Sequence, residues 1–158
     1  MSGDATFEDG GESPLRLRAL DTDDLTVIST LVQDAVFPES EMTWDRGKRR
    51  FALLINRFRW EDAPKATARN RPVERVQSVL VIEDAMKVQS QGVSRDADTV
   101  MSLLSLAFEA GEDGTGRLIL TLAGDGAIAV DVEALEVVLR DVTRPYVAPS
   151  HKVPDHET

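Results

Sequence analysis

The chain contains no cysteine, and its two histidines both lie within the last eight residues. Without cysteine there is no disulfide, thiolate metal site or cysteine nucleophile, as is typical of cytoplasmic proteins. His151 and His156 lie in a proline-containing C-terminal segment, so the predicted folded body has no imidazole. This absence disfavours a Ser-His-Asp triad and the usual zinc sites. We therefore expect a protein that is not an enzyme, with no catalytic residues, no metal and no cofactor.

Long apolar runs are also lacking. The longest, such as Val79–Ile82, are far too short to cross a bilayer. The segment Met1–Pro14 carries four acids and no base, unlike a signal peptide. We expect a cytoplasmic protein without a membrane partner, with a disordered acidic tail at 1–14, a single globular domain at 15–147 and a C-terminal tail at 148–158.

The charge of the chain is unevenly distributed. The net charge is −10, yet residues 46–75 contain ten basic and three acidic side chains, and the segments on either side are strongly acidic. An acidic protein does not coat nucleic acid, because phosphate binding depends on summed positive charge. A protein partner or self-association is therefore the favoured expectation. A nucleic acid bound to the basic segment is the less favoured one.

Hydrophobic periodicity predicts an α+β protein that is mainly antiparallel β, with one N-terminal helix. Acidic residues from Asp21 onward, followed by apolar residues at helical spacing, predict that helix over about 23–34. Strands are predicted at 15–19, 42–44, 51–60, 75–82, 86–91, 101–108, 117–123 and 127–133. We expect 75–82 to pair with 86–91, and 61–73 to be a flexible basic loop. The expected architecture is a curved sheet or a partly open barrel.

The predicted strand 51–60 changes character along its length. Residues 51–55 are apolar on both faces, whereas the second half alternates between apolar and polar side chains. Here we expect the aromatic residues to point inward, and Arg57 and Arg59 to point to solvent. This pattern predicts a strand that begins in the core and ends at an edge of the sheet, where a partner could bind.

Two features of the fold are left open by the sequence. Residues 132–142 fit either a strand with a bulge near Ala134 or a helix, and the helix would make a pleckstrin-like barrel the alternative fold. Adjacent valines at 137 and 138 favour the strand. A shift of 50 residues also aligns 31–62 with 81–112 at six identical positions. This match indicates either a weak internal repeat or two hairpins with similar core patterns.

Three stretches of the chain resemble one protein family. They are Leu25–Ala35, Arg50–Glu61 and Gly126–Asp141, and the run Asn-Arg-Phe-Arg-Trp-Glu at 56–61 is the most specific part. The family is an alphaproteobacterial group known as domain-of-unknown-function family 2948, and the resemblance covers residues 15–147. It implies a small cytosolic bacterial protein of no assigned activity, so there are no family catalytic residues to transfer.

Eight residues of the predicted hairpin are candidates for a binding surface. They are Arg46, Lys48, Arg49, Arg50, Asn56, Arg57, Arg59 and Trp60. The arginines suit bidentate contacts with phosphate or carboxylate groups, and Trp60 could stack on a base. Arginines paired to acids on neighbouring strands, with the aromatic residues in the core, explain the same pattern. The leading hypothesis is a non-enzymatic protein-interaction or accessory domain. The alternative is an RNA- or anion-binding module that uses the hairpin 46–59.

Overall fold

The computed structural model describes residues 14–93 and 99–147 of the chain. The strands are β1 (Arg16–Ala19), β2 (Ala35–Pro38), β3 (Met42–Asp45), β4 (Arg50–Phe58), β5 (Arg75–Ile82), β6 (Ala85–Gln91), β7 (Val100–Ala110), β8 (Gly116–Leu122), β9 (Ala127–Val132) and β10 (Val137–Asp141). The helices are α1 (Thr22–Leu31) and α2 (Ala63–Ala68), and short 3₁₀ turns cover Glu39–Glu41 and Trp60–Asp62. Within these ranges no helix is long and apolar enough to span a bilayer.

The strands form one antiparallel sheet that curves without closing. Their order is β1-β10-β5-β4-β2-β7-β8-β9-β6, and β3 pairs with the first half of β4. The longest central pairing joins β4 to β5 over eight residues, from Phe51 opposite Ile82 to Phe58 opposite Arg75. The predicted α+β class, with a mainly antiparallel curved sheet and an N-terminal helix, is confirmed.

The hydrophobic core lies on the inner face of this sheet, beneath helix α1. Alternate residues of β4 and β5, such as Leu53 and Leu80, are fully buried, and Ile28 of α1 packs into the same cluster. Each such side chain stabilises the fold by about 1.5–3 kcal/mol. Helix α1 ends at Leu31, three residues earlier than predicted, because Asp34 takes a left-handed conformation with φ 65° that starts the turn into β2.

Two predictions about the middle of the chain are wrong. Strands β5 and β6 do not pair with each other, because β5 lies between β4 and β10 while β6 pairs with β9 at the far edge. The sharp turn at Asp84, with φ 54°, sends the chain to another part of the sheet instead of closing a hairpin. The expected loop at 61–73 contains α2, whose Ala66 is fully buried. Pro64 lies in the first turn of that helix, where its missing N–H costs no hydrogen bond.

The two open questions are also decided. Val137–Asp141 is the strand β10, so the helix that a pleckstrin-like barrel would need is absent from 132–142. The 50-residue shift does not relate equivalent halves, since it aligns the end of α1 with the end of β5. It does align β4 with β7, and both of these strands pair with β2. The predicted acidic tail, apart from Pro14, and the predicted tail 148–158 lie outside the described residues.

Candidate functional site

The basic side chains at the β3–β4 turn do not form one free cationic surface. Two of the four are engaged in ion pairs, Arg49 with Glu133 and Arg50 with Glu83, each at 3.0 Å. These pairs are exposed, and such pairs add no more than about 1 kcal/mol. Arg46 and Lys48 are exposed and make no ion pair with any residue in the described ranges. The turn therefore offers two unpaired cations instead of four.

Arg57 is completely buried, which corrects the prediction that it points to solvent. It lies on the same face of β4 as Ile55, as the alternation requires, but that face is the core. Its guanidinium donates to both carboxylate oxygens of Glu61 at 2.9 Å and to both of Asp141 at 3.0 and 3.2 Å. A buried cation is tolerated when opposite charges and hydrogen bonds replace its hydration shell.

Asp141 is the buried anion at the centre of this arrangement. Besides Arg57, it accepts a hydrogen bond from the Ser78 hydroxyl at 2.7 Å and one from the Leu15 main-chain N–H at 2.9 Å. Burial disfavours the charged form of Arg57, but the hydrogen bonds and charges of Glu61 and Asp141 outweigh this effect and raise the pKa of Arg57. The contacts join β4, β5, β10 and the residue before β1.

Arg59 is the second arginine predicted to be outward and found to be buried, at 5% exposure. It donates to Glu74 at 2.6 Å and lies 3.5 Å from a carboxylate oxygen of Asp62. Asp62 also accepts two hydrogen bonds from Arg71 at 2.8 and 3.2 Å. The hydrogen bond from Arg71 lowers the pKa of Asp62, partly opposed by burial and supported by the charge of Arg59. We refer to the seven ion-pairing residues described in this and the two preceding paragraphs as the arginine cluster, namely Arg57, Arg59, Glu61, Asp62, Arg71, Glu74 and Asp141.

The remaining candidates, Asn56 and Trp60, also have partners within the protein. The Asn56 side chain accepts a hydrogen bond from Arg75 at 2.6 Å and donates one to the hydroxyl of Tyr146. Burial lowers the pKa of Arg75, and Tyr146 opposes that effect. The Trp60 indole N–H donates to the main-chain carbonyl of Gln33 at 2.8 Å, and its half-buried ring packs against the core. Asn56 also lines a depression on the outer face of the sheet, together with Leu54 and Gln77.

The buried polar atoms of the arginine cluster have hydrogen-bond partners within the protein, including Ser78 and the main chain of Leu15. Among the described residues, no buried side-chain nitrogen or oxygen lacks a hydrogen-bond partner. All five N–H groups of the Arg57 guanidinium donate to groups of the protein, so this side chain has no donor left for a substrate. The cluster therefore stabilises the packing of the end of β4 against β5, β10 and the segment that follows β4. The predicted edge position is also wrong, since β4 is paired on both sides.

An apolar surface on the outer face of the sheet was not predicted from the sequence. Strands β10, β5 and β4 carry apolar residues at both phases of their alternation, so each also presents them on the outer face. The register sets Val138 opposite Val81, Val81 opposite Ala52, and Val79 opposite Leu54. Val36 of β2 and Val100 of β7 extend the same face, and Val100 is 62% exposed. We refer to Val36, Ala52, Leu54, Val79, Val81, Val100 and Val138 as the outer patch.

Polar residues border the outer patch at both ends of its strands. At one end lie the ion pairs Arg18–Glu136 at 2.8 Å and Arg50–Glu83 at 3.0 Å. At the other end, Arg140 and Gln77 occupy the next outward positions of β10 and β5. A depression of about 310 Å³ opens beside Val36, Leu54 and Val100. The sequence did contain a signal for this surface, in apolar runs such as Val79–Ile82. A strand with one buried face needs apolar residues only at alternate positions, so a continuous run places apolar side chains on both faces.

Comparison with known proteins places the chain in a family without assigning it an activity. Within the described ranges, no group of three or more histidine, cysteine, aspartate or glutamate side chains is arranged to hold a metal ion. No curated protein and no solved structure matches the chain. The family model described as "Protein of unknown function (DUF2948)" matches residues 15–156, nearly the whole chain. The chain therefore belongs to the DUF2948 family.

Proposed function

We propose that this protein is a non-enzymatic interaction domain of the bacterial cytoplasm, and that it binds another protein through the outer patch. The observation that carries the proposal is the apolar character of the outer face where β10, β5 and β4 lie side by side. An antiparallel sheet with one face in water normally alternates apolar and polar residues. Apolar residues at both phases are typical of strands that are covered on both sides.

The same sheet contains an internal contrast. On the outer face of β8 and β9, Ile119 is the one large apolar side chain, and the other outward positions carry Arg117, Thr121, Ala127, Ala129 and Asp131. The outer face is therefore more apolar around β4 and β5 than around β8 and β9. A contiguous apolar surface with a polar rim is the usual anatomy of a protein–protein interface.

We favour a different protein over a second copy as the occupant. Each copy carries a net charge of −10, so two copies repel each other at long range. The rim of the patch includes two arginines, Arg140 and Arg16, which face each other across β1 and β10 and make no ion pair with a described residue. A partner with an apolar patch and a few acidic residues around it fits this surface best.

The alternative function, RNA or anion binding by the hairpin 46–59, has less support. Of its six basic side chains, Arg49, Arg50, Arg57 and Arg59 are paired with carboxylates, and the last two are buried. Phosphate binding would have to rely on Arg46 and Lys48, too few cations to hold a nucleic acid against the overall negative charge.

The test compares partner capture by three forms of the protein. Leu54→Glu sets a charge in the centre of the outer patch, and Thr121→Glu sets the same charge on the outer face of β8 as the matched control. A protein captured from native lysate by the wild type and the control, but not by Leu54→Glu, is then purified and titrated. We expect at least a 10-fold loss of affinity with Leu54→Glu, since burying a leucine side chain stabilises a complex by more than about 1.4 kcal/mol.

Two results would contradict the proposal. One is a purified partner that binds Leu54→Glu as tightly as the wild type, provided that circular dichroism shows both to be folded. The other is a stable dimer of the wild type in light scattering that Leu54→Glu converts to a monomer, which would assign the outer patch to a second copy of this chain.

A further inference from the structure

Strand β6 has one edge without a strand partner in the described part of the chain. It pairs with β9 alone. The main-chain N–H of Leu122 donates to the carbonyl of Gly126 at 2.8 Å, which fixes the hydrogen-bonding phase of the β8–β9 pair. In an antiparallel sheet this phase alternates. Residues 127, 129 and 131 of β9 therefore hydrogen-bond to β6, and Val88 and Ser90 direct their own N–H and C=O groups to the unpaired edge.

This edge carries few of the features that protect other sheet edges from added strands. Natural edge strands are commonly short, or bear several charges or a proline. β6 has seven residues, of which only Lys87 is charged and none is proline. In the whole chain 29% of the residues are charged. After the bulge between Ala85 and Lys87, residues 87–91 pair with β9 in regular register.

A groove of about 650 Å³ runs beside this edge, between β6 and the β3–β4 hairpin. We refer to it as the β6 groove, and its lining is Trp44, Arg46, Arg49, Ala85, Met86, Lys87, Val88 and Glu133. Its apolar members include Trp44 and Val88, which pack on the core, and Met86, which is 49% exposed. Its charged members are three cations and one carboxylate, and that carboxylate is already paired with Arg49.

We propose that the β6 groove binds an extended acidic segment of another protein, which adds to β6 as a further strand. Main-chain hydrogen bonds to Val88 and Ser90 would supply affinity, and an apolar side chain of the segment would lie over Trp44 and Met86. Carboxylates on alternate positions would face Arg46 and Lys87, which have no ion pair among the described residues. This site is separate from the outer patch and does not depend on its role.

The segment is acidic because of the local charge around the groove. The protein as a whole is negative and would repel an acidic peptide, so selection by the groove must come from nearby side chains. Lys48 in the same turn makes no ion pair with a described residue and adds a further cation. A strand that carries carboxylates on one face and apolar side chains on the other matches both the cations and the apolar lining.

The experiment uses two synthetic peptides labelled with fluorescein, Glu-Val-Glu-Phe-Glu-Val-Glu and its lysine counterpart Lys-Val-Lys-Phe-Lys-Val-Lys. Fluorescence anisotropy measures their affinity for the full chain. We expect the acidic peptide to bind at least about 10-fold more tightly than the basic one. We also expect its affinity to fall as the salt concentration rises from about 0.05 to 0.5 M, since charge pairs at the groove are screened.

Ser90 provides a matched pair of variants. Ser90→Pro removes an N–H that points to the unpaired edge while leaving the hydrogen bonds from β6 to β9 intact. Ser90→Ala keeps that N–H and removes the hydroxyl alone. We expect Ser90→Pro to lose peptide binding and Ser90→Ala to retain it. In the wild type, the peptide should slow hydrogen exchange at the amides of Val88 and Ser90, a measurement that needs no variant.

Several outcomes would overturn the proposal. They are no binding of the acidic peptide at about 1 mM, equal binding of both peptides, unchanged exchange at Val88 and Ser90, or full binding by a folded Ser90→Pro. Tighter binding of a uridylate 12-mer, lost in Arg46→Glu with Lys48→Glu but kept in Ser90→Pro, would assign the groove to nucleic acid. The peptide result is independent of the outer patch, because Leu54→Glu should bind the acidic peptide like the wild type.

Discussion

Replacing Arg57 with methionine should remove a large part of the stability of the fold. Methionine keeps much of the volume of the side chain but leaves Asp141, which is 3% exposed, without a cation. Glu61 is 20% exposed and can recover water contacts, so most of the cost falls on Asp141. Removing one partner of a buried ion pair costs about 3–5 kcal/mol. The free energy of unfolding of a domain is about 5–15 kcal/mol, so this loss is about a third of it.

Urea unfolding followed by tryptophan fluorescence measures this loss. Trp44 lies in β3, which pairs with β4, and Trp60 follows β4, the strand that contains Arg57. We expect the midpoint to fall by about 2 M, given a urea slope of roughly 2 kcal/mol per M for a domain of this size. The control is Arg117→Met, which breaks the exposed pair with Asp131 and should cost no more than about 1 kcal/mol.

A double variant gives a second readout. In Arg57→Met, most of the loss comes from the buried carboxylate of Asp141, which has no cation beside it. Adding Asp141→Asn removes the unpaired charge and should restore part of the loss.

Equal shifts of the midpoint in Arg57→Met and Arg117→Met would refute this role of Arg57. A further loss on adding Asp141→Asn to Arg57→Met, instead of restored stability, would refute it as well. Either result would mean that water or a rearranged side chain compensates Asp141 as well as the arginine does, and that the cluster does not fasten β4 to β10.

Two further predictions concern packing and acid stability. Gly116→Ala should cost about 1–3 kcal/mol in urea unfolding, because a Cβ there would overlap the ring of Phe108 and lie 2.6 Å from a backbone carbonyl oxygen, whereas Gly47→Ala meets nothing closer than 3.6 Å and should be neutral. Arg71→Met should weaken the fold at pH 7, and the difference from the wild type should disappear as the pH falls from about 4 through the lowered pKa of Asp62. Arg71 lowers the pKa of Asp62, so its stabilising effect is present above the ordinary pKa of aspartate and is lost as the pH falls through the folded pKa. A variant as stable as the wild type at pH 7, or equally weakened at all pH values, would contradict this assignment.

The periodicity of the chain was sufficient to predict most strands, because the inner face of each strand must be apolar wherever the sheet covers a core. It also located the cap of α1, where the Asp21 side chain accepts the N–H of Asp24 at 2.8 Å. Pairing was harder to predict. β5 and β6 are adjacent in sequence and look like a hairpin, yet β5 pairs with β4 and β10, and β6 pairs with β9. The pairing of distant strands depends on how their apolar faces pack together, which the local sequence pattern does not show.

The site residues show the same limit. The sequence predicts that Arg57 and Arg59 face solvent, because isolated arginines avoid the core. In the fold, carboxylates from other parts of the chain pair with both side chains and allow them to be buried. Asp141 is 84 residues further along the chain, so no local spacing could indicate the pair. Leu54 and Val79 show the reverse case, since their apolar side chains are typical of a core and yet lie on the outer face.

By itself, the sequence determined the β-rich class, the N-terminal helix, the uneven charge and the lack of cysteine, because these follow from composition and from the short-range repeat of side chains. The tertiary structure alone decided which charges are neutralised, which apolar residues remain uncovered and which strand edge is unpaired. These properties depend on residues brought together from distant parts of the chain, and they are what a binding partner would meet.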